Sequence, residues 1–542
     1  MRRANWSHSK WVRGLASAAA LSCALAGTSM LSGCAVSDSD VHRWESTEQG
    51  PRKLYAVATH DKYAWPLRVE AMLSLIRMKP RGGKNWTVAY LIEGFSDDNG
   101  SHEGALLTIS PEERKRMVES LAPELVKGIE APPPPKDAAG HQPADPSVLY
   151  KDAAFAMLSH DPPIVADDKI KADLSTAIVQ WAMVDFDNRL DVSQQYGVEQ
   201  MLRFLGASSV RGLPGLLNEQ SSKTDRIASL ILDLGEPDTK QKASDALVGI
   251  AKHIDSADWV NKQTPLVQDA DNRAGQKVNP DQLKAQVKQY QDQELQKIFS
   301  AMKKVGGRSV IDYCLDFAAS KDKSDDSRKA ALAAIEGSVD KTNSHDIDRL
   351  FAIASDDATP DGVRDLAFGR LGELPKEIVV PKLYQLFQGH KWKVRWVAAS
   401  LALKTLGTKS IGDFMSHLPT NGATKMGMTE GISYGGLIQK MDSSATGAPK
   451  PRDAIMPYLS SHELGPKLTA LGFFYGGRKA DINVVTPLSN DGQAVPKCDA
   501  TDDCGWTCDV PKAPGSTDTV SKEIKTVGDF TQFCVIPSMT AP

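Results

Sequence analysis

Apolar residues recur every three or four positions over most of the chain, in stretches of about 10–18 residues that short turns separate. This spacing is typical of short amphipathic α-helices, because it places the apolar side chains on one helical face. No segment shows the sustained alternation of apolar and polar residues that predicts a half-buried β-strand. We therefore expect an all-α protein.

A longer helix is predicted over residues 280–305, where Asn279 provides an N-cap and Pro280 a first helical residue. Its apolar positions are compatible either with packing against the core or with binding a partner, and we favour the core. These positions are Leu283, Val287, Tyr290, Ile298 and Met302.

The predicted helices repeat along the chain. Four glycines follow one another at intervals of 31, 35 and 35 residues, and an Arg-x-x-Ala motif recurs between them. We interpret each unit as two helices joined by a turn, with the glycine as a left-handed cap and the small alanine allowing neighbours to pack closely. The glycines are Gly306, Gly337, Gly372 and Gly407, and the motifs begin at Arg328, Arg364, Arg395 and, near the N-terminus, Arg68.

Three short motifs are predicted to open second helices: Asp325-Asp326-Ser327-Arg328, Pro360-Asp361-Gly362-Val363-Arg364 and Lys391-Trp392-Lys393-Val394-Arg395. They resemble HEAT repeats, in the loose form found in many bacterial lipoproteins, although the third has Lys where the family has Asp. The resemblance covers most of residues 52–490 and is clearest over 306–420. It implies a HEAT-like α-solenoid of stacked helical hairpins and a function in binding proteins.

Composition divides the chain further. Residues 52–130 are predicted to hold N-terminal helical repeats, and residues 147–490 the main HEAT-like array. A Pro-rich loop over 131–146 separates the two, since its consecutive prolines exclude a helix. Insertions that interrupt the array are expected near 256–278, which is polar, and near 419–450, which is rich in Gly, Ser and Met.

The first 33 residues have the organisation of a lipoprotein signal peptide. A basic start is followed by an apolar stretch too short to span a bilayer comfortably, and then by Leu31-Ser32-Gly33-Cys34. This ending resembles a bacterial lipobox, which implies cleavage before Cys34 and a lipid on its thiol. The alternative is an ordinary secretory signal with an incidental cysteine. The polar residues 34–51 are expected to form a flexible tether.

Charge adds little to this picture. The chain has 64 basic and 68 acidic residues and a formal net charge of −4. The predicted signal contains four basic residues and no acidic ones, so its removal leaves a more acidic chain of charge −8. This balance gives no electrostatic reason to expect nucleic acid as a partner. No sequence motif for a metal ion or cofactor is present, so we predict none.

Four of the seven cysteines cluster near the C-terminus: Cys498, Cys504, Cys508 and Cys534. In an exported protein they predict two disulfide bonds, because the loop-rich segment 491–542 cannot build much core of its own. Three connectivities are possible, and we favour pairing of Cys504 with Cys498 and of Cys508 with Cys534. A metal site is the alternative. Cys314 lies in an apolar helix and is predicted to be a buried thiol.

The strongest sign of enzymatic chemistry is Gly431-Ile432-Ser433-Tyr434-Gly435, which matches the nucleophile elbow of serine hydrolases. Asp453 and His462 follow in the order Ser, acid, His. The residues before Ser433 make a poor strand, however, and the elbow requires a strand there. We therefore predict no catalytic residue and keep a serine hydrolase as an alternative.

The favoured function is that of a lipoprotein of the bacterial cell envelope. Its lipid on Cys34 would anchor it, and the absence of Asp after that cysteine favours the outer membrane, facing the periplasm. Its solenoid would bind protein partners in the envelope as an adaptor or scaffold. A further alternative is a lipoprotein that binds cell-wall polysaccharide through exposed Trp and Tyr side chains.

Overall fold

The computed structural model describes residues 36–80, 86–97, 100–135, 143–190, 195–275, 278–389, 391–419, 426–496, 506–512 and 518–540. These residues form two compact units. The N-terminal unit comprises the described residues up to 181 together with 195–197. The C-terminal unit comprises residues 182–190 and the described residues from 198 onward.

The N-terminal unit consists mainly of helices, with one short antiparallel hairpin of strands β1 (Phe95–Asp97) and β2 (Gly100–His102). The last two residues of its final helix belong to the other unit. The helices are α1 (Asp38–Trp44), α2 (Gly50–Thr59), α3 (Trp65–Arg77), α4 (Trp86–Val88), α5 (Ala105–Thr108), α6 (Pro111–Ile129), α7 (Ser147–Ser159) and α8 (Asp168–Met183).

The first part of the C-terminal unit is a long series of helices, some of them joined by short 3-10 turns. These helices are α9 (Phe186–Arg189), α10 (Val198–Leu205), α11 (Thr224–Leu234), α12 (Pro237–Ile254), α13 (Ala257–Arg273), α14 (Pro280–Val305), α15 (Arg308–Ala319), α16 (Asp325–Ala334), α17 (Ser344–Ser355), α18 (Asp361–Leu371), α19 (Lys376–Gln385), α20 (Trp392–Thr405), α21 (Ile411–His417), α22 (Met428–Ile438), α23 (Pro451–Ile455), α24 (Leu464–Phe474) and α25 (Ile482–Val485).

The end of the C-terminal unit contains a second hairpin and two short helices. Strand β3 (Thr507–Pro511) pairs antiparallel with β4 (Thr519–Glu523). The helices are α26 (Val527–Phe530) and α27 (Ile536–Thr540), with a π-helical turn over Thr531–Val535 between them.

Successive hairpins of the C-terminal unit stack through their second helices. Helix α14 packs on α16, α16 on α18, α18 on α20, α20 on α22 and α22 on α24. The two helices of a hairpin also pack together, as α15 does with α16 and α17 with α18. The alanines of the repeated motif, Ala331, Ala367 and Ala398, are fully buried where these helices meet. The predicted fold class, an all-α HEAT-like solenoid of stacked hairpins, is confirmed.

The arginine of the repeated motif has the same structural role in both units. Arg68, Arg328 and Arg364 each donate from Nε to the carbonyl oxygen of an alanine ten residues earlier, at 3.0, 2.8 and 3.2 Å. Each alanine is the penultimate residue of the first helix, where carbonyl groups lack a partner within the helix. The positive charge also lies at the negative end of that helix dipole. The α2–α3 hairpin therefore has the same local construction as the later repeats.

The glycines that mark the repeats do not all have the predicted conformation. Gly306 and Gly337 have φ values of 67° and 68°, in the positive range that favours glycine, although the ψ of −154° at Gly306 is not that of a left-handed helical cap. Gly372 and Gly407 have φ values of −66° and −89°, so the prediction is wrong for these two. At Gly372 the requirement is space, because a Cβ atom there would lie 3.0 Å from Leu401 Cδ1.

Residues 38–44 are not part of a flexible tether, as we had predicted for 34–51, but form helix α1 with Val41 fully buried. The backbone N–H and the hydroxyl of Ser37 both donate to the Asp40 carboxylate, at 3.1 and 2.8 Å. Glu45, just after the helix, accepts hydrogen bonds from Ser74 and Arg77 of α3. The polar sequence that suggested a tether is the cap of a helix that packs on its unit.

The expected polar insertion near 256–278 is largely helix α13. Ser256 caps the helix by accepting from the backbone N–H of Trp259 at 3.2 Å, and the Trp259 side chain is buried. Most other side chains of α13 are exposed, so its sequence shows little apolar periodicity. The predicted helix over residues 280–305 has the same first and last residues as the observed helix α14, and Asn279 caps it as predicted.

The two strand hairpins were not predicted. Strands β1 and β2 have three residues each, and all five residues of β4 are exposed. An exposed strand has no buried face, and its sequence therefore lacks the alternation by which a strand is recognised.

Candidate functional site

The structure contains one of the two favoured disulfide bonds, between Cys508 and Cys534, with a Cα–Cα distance of 5.7 Å. The bond excludes these two cysteines as metal ligands of the alternative site. Cys34, Cys498 and Cys504 lie outside the described residues, and the lipidation of Cys34 stays a prediction. Cys314 is a buried free thiol, as expected, and burial raises its pKa.

The disulfide lies within the C-terminal segment and packs against the first residue of α22. The Sγ atoms of Cys508 and Cys534 each lie 3.8 Å from Sδ of Met428, the first residue of α22. Lys467 of α24 reaches the same segment, with Nζ 2.8 Å from Asp491 Oδ2. Val527 and Phe530 bury their side chains completely. The segment therefore covers the final helix pair, α22 and α24, from water.

Ser433 lies within α22, and the five residues before it are helical. A nucleophile elbow needs a strand directly before the serine, so the hydrolase interpretation of this motif is wrong in its local structure. The two glycines serve packing instead: a Cβ atom would lie 2.8 Å from Leu468 O at Gly431 and 2.1 Å from Phe473 N at Gly435. The Gly-rich stretch that we expected to interrupt the array thus contains one of its most closely packed helices.

One opening in the C-terminal unit is a cleft of about 610 Å³, which we call the aromatic cleft. The turn before α11, the end of α12, helix α13 and the middle of α14 enclose it. The residues that define it are Glu219, Ile254, Trp259, Leu266, Tyr290 and Ile298.

The floor of the aromatic cleft is apolar and partly aromatic. Ile254, Trp259 and Ile298 are buried, and the Trp259 and Tyr290 rings lie 5.5 Å apart between centroids. Tyr290 and Leu266 remain 38% and 55% exposed, although both are large apolar side chains. Burial of its ring raises the pKa of the Tyr290 hydroxyl. The cleft thus presents an apolar surface to solvent with a neutral hydroxyl available for hydrogen bonding.

The rim of the aromatic cleft is charged, but its charges are paired. Lys297 Nζ lies 2.5 Å from Glu294 Oε1. The carboxylate of Glu219 lies between His253 Nε2 at 3.4 Å and Lys262 Nζ at 4.0 Å. An apolar centre within a polar rim is the arrangement found in protein-binding surfaces.

Helix α14 both packs in the core and faces a cleft, the two roles that its sequence is compatible with. Val287, Ile298 and Met302 are buried in the core, as favoured, while Tyr290 faces the aromatic cleft. Sequence reasoning missed the cleft because its walls come from residues about 80 positions apart. The one available signal was an aromatic residue on a helical face that is otherwise aliphatic.

Among the residues that the structure describes, no helix is both long and apolar enough to cross a membrane. No protein-family model and no curated protein sequence matches the chain.

The chain is similar to solved structures of the karyopherin Kap121p, in complexes with Ste12p, with Nup53p and with the extreme C-terminus of the protein phosphatase Cdc14p. The identity is 14% in each case, with TM-scores of 0.30, 0.29 and 0.29. The matches cover 82–83% of this chain and 43% of Kap121p, so the chain spans less than half the length of that protein. At this level of similarity the fold assignment rests on the helix stacking described above.

Proposed function

We propose that this protein is a membrane-anchored scaffold of the bacterial cell envelope that binds a protein partner in the aromatic cleft. The observation that carries the proposal is the exposure of Tyr290 and Leu266 over a buried aromatic floor. An exposed Tyr side chain beside a preformed cleft is a typical anchor of a protein interface, and Leu266 adds apolar surface next to it. Isolated apolar residues elsewhere need no such explanation.

The partner segment that fits the cleft has an aliphatic or aromatic side chain at its centre and polar groups on either side. The central side chain would pack on Tyr290 and Trp259, and its neighbours would hydrogen-bond to the rim. A strongly charged segment fits less well, because the rim charges already pair with one another.

The proposed envelope location is supported by two features of the sequence and one of the structure. The basic and then apolar start and the sequence Leu31-Ser32-Gly33-Cys34 resemble a lipoprotein signal. The Cys508–Cys534 disulfide is of the kind that persists in an oxidising compartment such as the periplasm. Lipid on Cys34 would hold the protein to the outer membrane, where it would serve as an adaptor between membrane and partner.

Photo-crosslinking tests the cleft directly. A photoreactive amino acid placed at position 266 in the full-length protein should crosslink to a discrete envelope protein. The same residue at position 232 should not, because Leu232 is 45% exposed on α11 but does not line the cleft. Tyr290→Ala should abolish the crosslink at position 266 without changing the melting temperature by more than a few degrees. Equal crosslinking at both positions, or a crosslink unaffected by Tyr290→Ala, would contradict the proposal.

A separate experiment tests the anchor. Mass spectrometry of the wild-type protein should show an N-terminal peptide that begins at Cys34 and carries a lipid mass, and Cys34→Ala should abolish both the cleavage and the lipid. A wild-type N-terminal peptide without a lipid mass would refute anchoring through Cys34. Sedimentation of the protein with purified cell wall, combined with a failure to crosslink any protein, would favour polysaccharide binding instead.

A further inference from the structure

A second cavity in the C-terminal unit has a different character. It has a volume of about 760 Å³ and opens between the start of α19, the end of α20, the turn at 408–410 and the end of α22. Lys376, Lys404, Lys409 and Lys440 line it, and we call it the lysine cavity. It shares no residue with the aromatic cleft.

The lysine cavity has more positive charge than its acidic group can balance. The acidic residue in its lining is Asp442, which accepts hydrogen bonds from the backbone N–H and the hydroxyl of Ser444, at 2.8 and 3.0 Å. Within the described part of the chain, Lys376, Lys404 and Lys440 form no ion pair, and Lys409 donates to the carbonyl oxygen of Thr446. Four cations thus surround one opening in a chain that has more acidic than basic residues.

Helix stabilisation explains only part of this cluster. Lys404 lies in the last turn of α20 and Lys440 lies just after α22, where a cation interacts favourably with the helix dipole. Lys376 is the first residue of α19, where a positive charge is unfavourable for the helix. Its position beside the cavity therefore needs another reason, and a bound anion would provide one.

The lining between the lysines is partly apolar. Leu403 and Met441 are buried, and Leu406, Leu437 and Ala448 add apolar surface beside the polar residues Thr405, Thr408 and Ser410. A small hydrated anion would make no use of the apolar part of this surface. A ligand with several negative charges separated by aliphatic groups would use both the lysines and the apolar lining.

We propose that the lysine cavity binds an acidic peptide segment of a protein partner, with Glu or Asp side chains facing the lysines and an aliphatic side chain on the apolar lining. Separate ammonium groups carried by different elements match carboxylates spaced along a peptide. The site is distinct from the aromatic cleft and gives the solenoid a second point of contact, which favours an acidic segment, whereas the cleft favours an uncharged one.

Binding of a fluorescein-labelled peptide of alternating Glu and Leu to the full-length protein tests this proposal by fluorescence anisotropy. We expect saturable binding that weakens as NaCl is raised, because the contacts are between opposite charges. The double variant Lys404→Gln/Lys440→Gln should bind at least 10-fold more weakly. The double variant Lys115→Gln/Lys341→Gln makes the same change in net charge at exposed residues that do not line the cavity and should bind like the wild type. Thermal unfolding should show that both variants remain folded.

If both double variants weaken peptide binding equally, overall charge and not the cavity attracts the peptide. Preference for vesicles containing 30% phosphatidylglycerol over the peptide would identify a membrane surface as the ligand, and displacement by millimolar inorganic phosphate would identify a simple anion site. Either result would overturn the proposal. Tyr290→Ala should leave the affinity for the acidic peptide unchanged. A result that contradicts peptide binding in the lysine cavity is therefore distinguishable from one that contradicts partner binding in the aromatic cleft.

Discussion

Arg395 and Glu430 form a bidentate ion pair in the interior of the C-terminal unit. Arg395 Nε lies 3.0 Å from Glu430 Oε1 and Nη2 lies 2.8 Å from Oε2, and both side chains are only 2% exposed. The Tyr434 hydroxyl donates to Glu430 Oε1 at 2.9 Å. This is the repeat in which the usual Asp is replaced by Lys. Arg395 Nη1 still donates to the carbonyl oxygen of Gly389, just after the 3-10 turn that follows α19, at 2.6 Å. Its other two donors join α20 to α22 through the Glu430 carboxylate.

Removal of one partner of this pair should be strongly destabilising. Glu430→Gln leaves a buried guanidinium without its counter-charge, and we expect the free energy of unfolding to fall by about 3–5 kcal/mol. Urea unfolding of the full-length protein measures the change. The free energy of unfolding should fall less in the double variant Arg395→Met/Glu430→Leu than in either single variant, because no unpaired charge stays buried. If the decrease in the double variant equals the sum of the decreases in the two single variants, the two residues act independently.

The adjacent glycines 435 and 436 of α22 should respond to the same substitution in opposite directions. A Cβ atom at position 435 would lie 2.1 Å from Phe473 N, so Gly435→Ala must push α22 away from α24 and should destabilise the protein by about 1–3 kcal/mol. No atom lies within 4 Å of a Cβ placed at Gly436. Gly436→Ala should therefore be neutral or stabilising by up to about 1 kcal/mol, because alanine favours the helix. Thermal unfolding of the two variants measures the difference. Equal changes in melting temperature for Gly435→Ala and Gly436→Ala would disprove close helix packing at position 435.

Loss of the Cys508–Cys534 disulfide should loosen the C-terminal segment. The bond closes a separation of 26 residues, for which the chain-entropy model gives a stabilisation of ~3–4 kcal/mol. We expect Cys508→Ser/Cys534→Ser to unfold at a lower temperature and to be cleaved by protease within 506–540 before the rest of the chain. Reductant should lower the unfolding temperature of the wild type more than that of the double variant. An unchanged cleavage pattern would mean that packing alone holds the segment to α22 and α24.

Asp312 should make stability depend on pH at the acidic end. Its carboxylate accepts from Arg308 Nε at 2.8 Å and from Arg349 Nη1 at 3.2 Å, and the hydrogen bond from Arg308 lowers the pKa of this carboxyl below its usual value. Because the folded-state pKa is lowered, the pair stabilises the protein above the unfolded-state pKa, and this contribution is lost as the pH falls through the folded-state value.

Asp312→Asn should therefore reduce the free energy of unfolding at pH 7 by up to about 1 kcal/mol, as expected for a half-exposed pair. The difference from wild type should shrink as the pH falls from about 4 to 2. Urea unfolding at several pH values provides the measurement. Asp365→Asn removes a carboxylate that is exposed on α18 and has no ion pair among the described residues, and it should show no such trend. A constant difference at all pH values would exclude ionisation of Asp312 as the cause.

The repeat architecture could be predicted because it depends on local and periodic signals. The motif arginines recur where a second helix must satisfy the carbonyl groups at the end of the first helix, and this requirement is the same at Arg68, Arg328 and Arg364. Asn279 with Pro280 is a start signal that local chemistry alone determines, so both ends of α14 agree with the prediction.

The failures have a common physical origin in contacts between distant residues. The sequence around Ser433 is compatible with an elbow or with a helix, and only the approach of α24 shows why the glycines are there. The aromatic cleft and the lysine cavity are formed by elements that the chain brings together over tens of residues. No local pattern distinguishes Lys376 from a residue on an ordinary helical surface, and Tyr290 differs only in being aromatic on an otherwise aliphatic helical face.

The early start of α1 sets a short distance between the fold and Cys34, the predicted lipidation site. Only residues 35–37 separate Cys34 from the first residue of α1, and an extended chain of four residues reaches about 14 Å. With a lipid on Cys34, the N-terminal unit would lie directly against the lipid headgroups. A linker this short would not let it extend away from the membrane into the periplasm. Encounters with a partner would then take place as two-dimensional diffusion along the membrane, which favours partners that are themselves bound to the same leaflet.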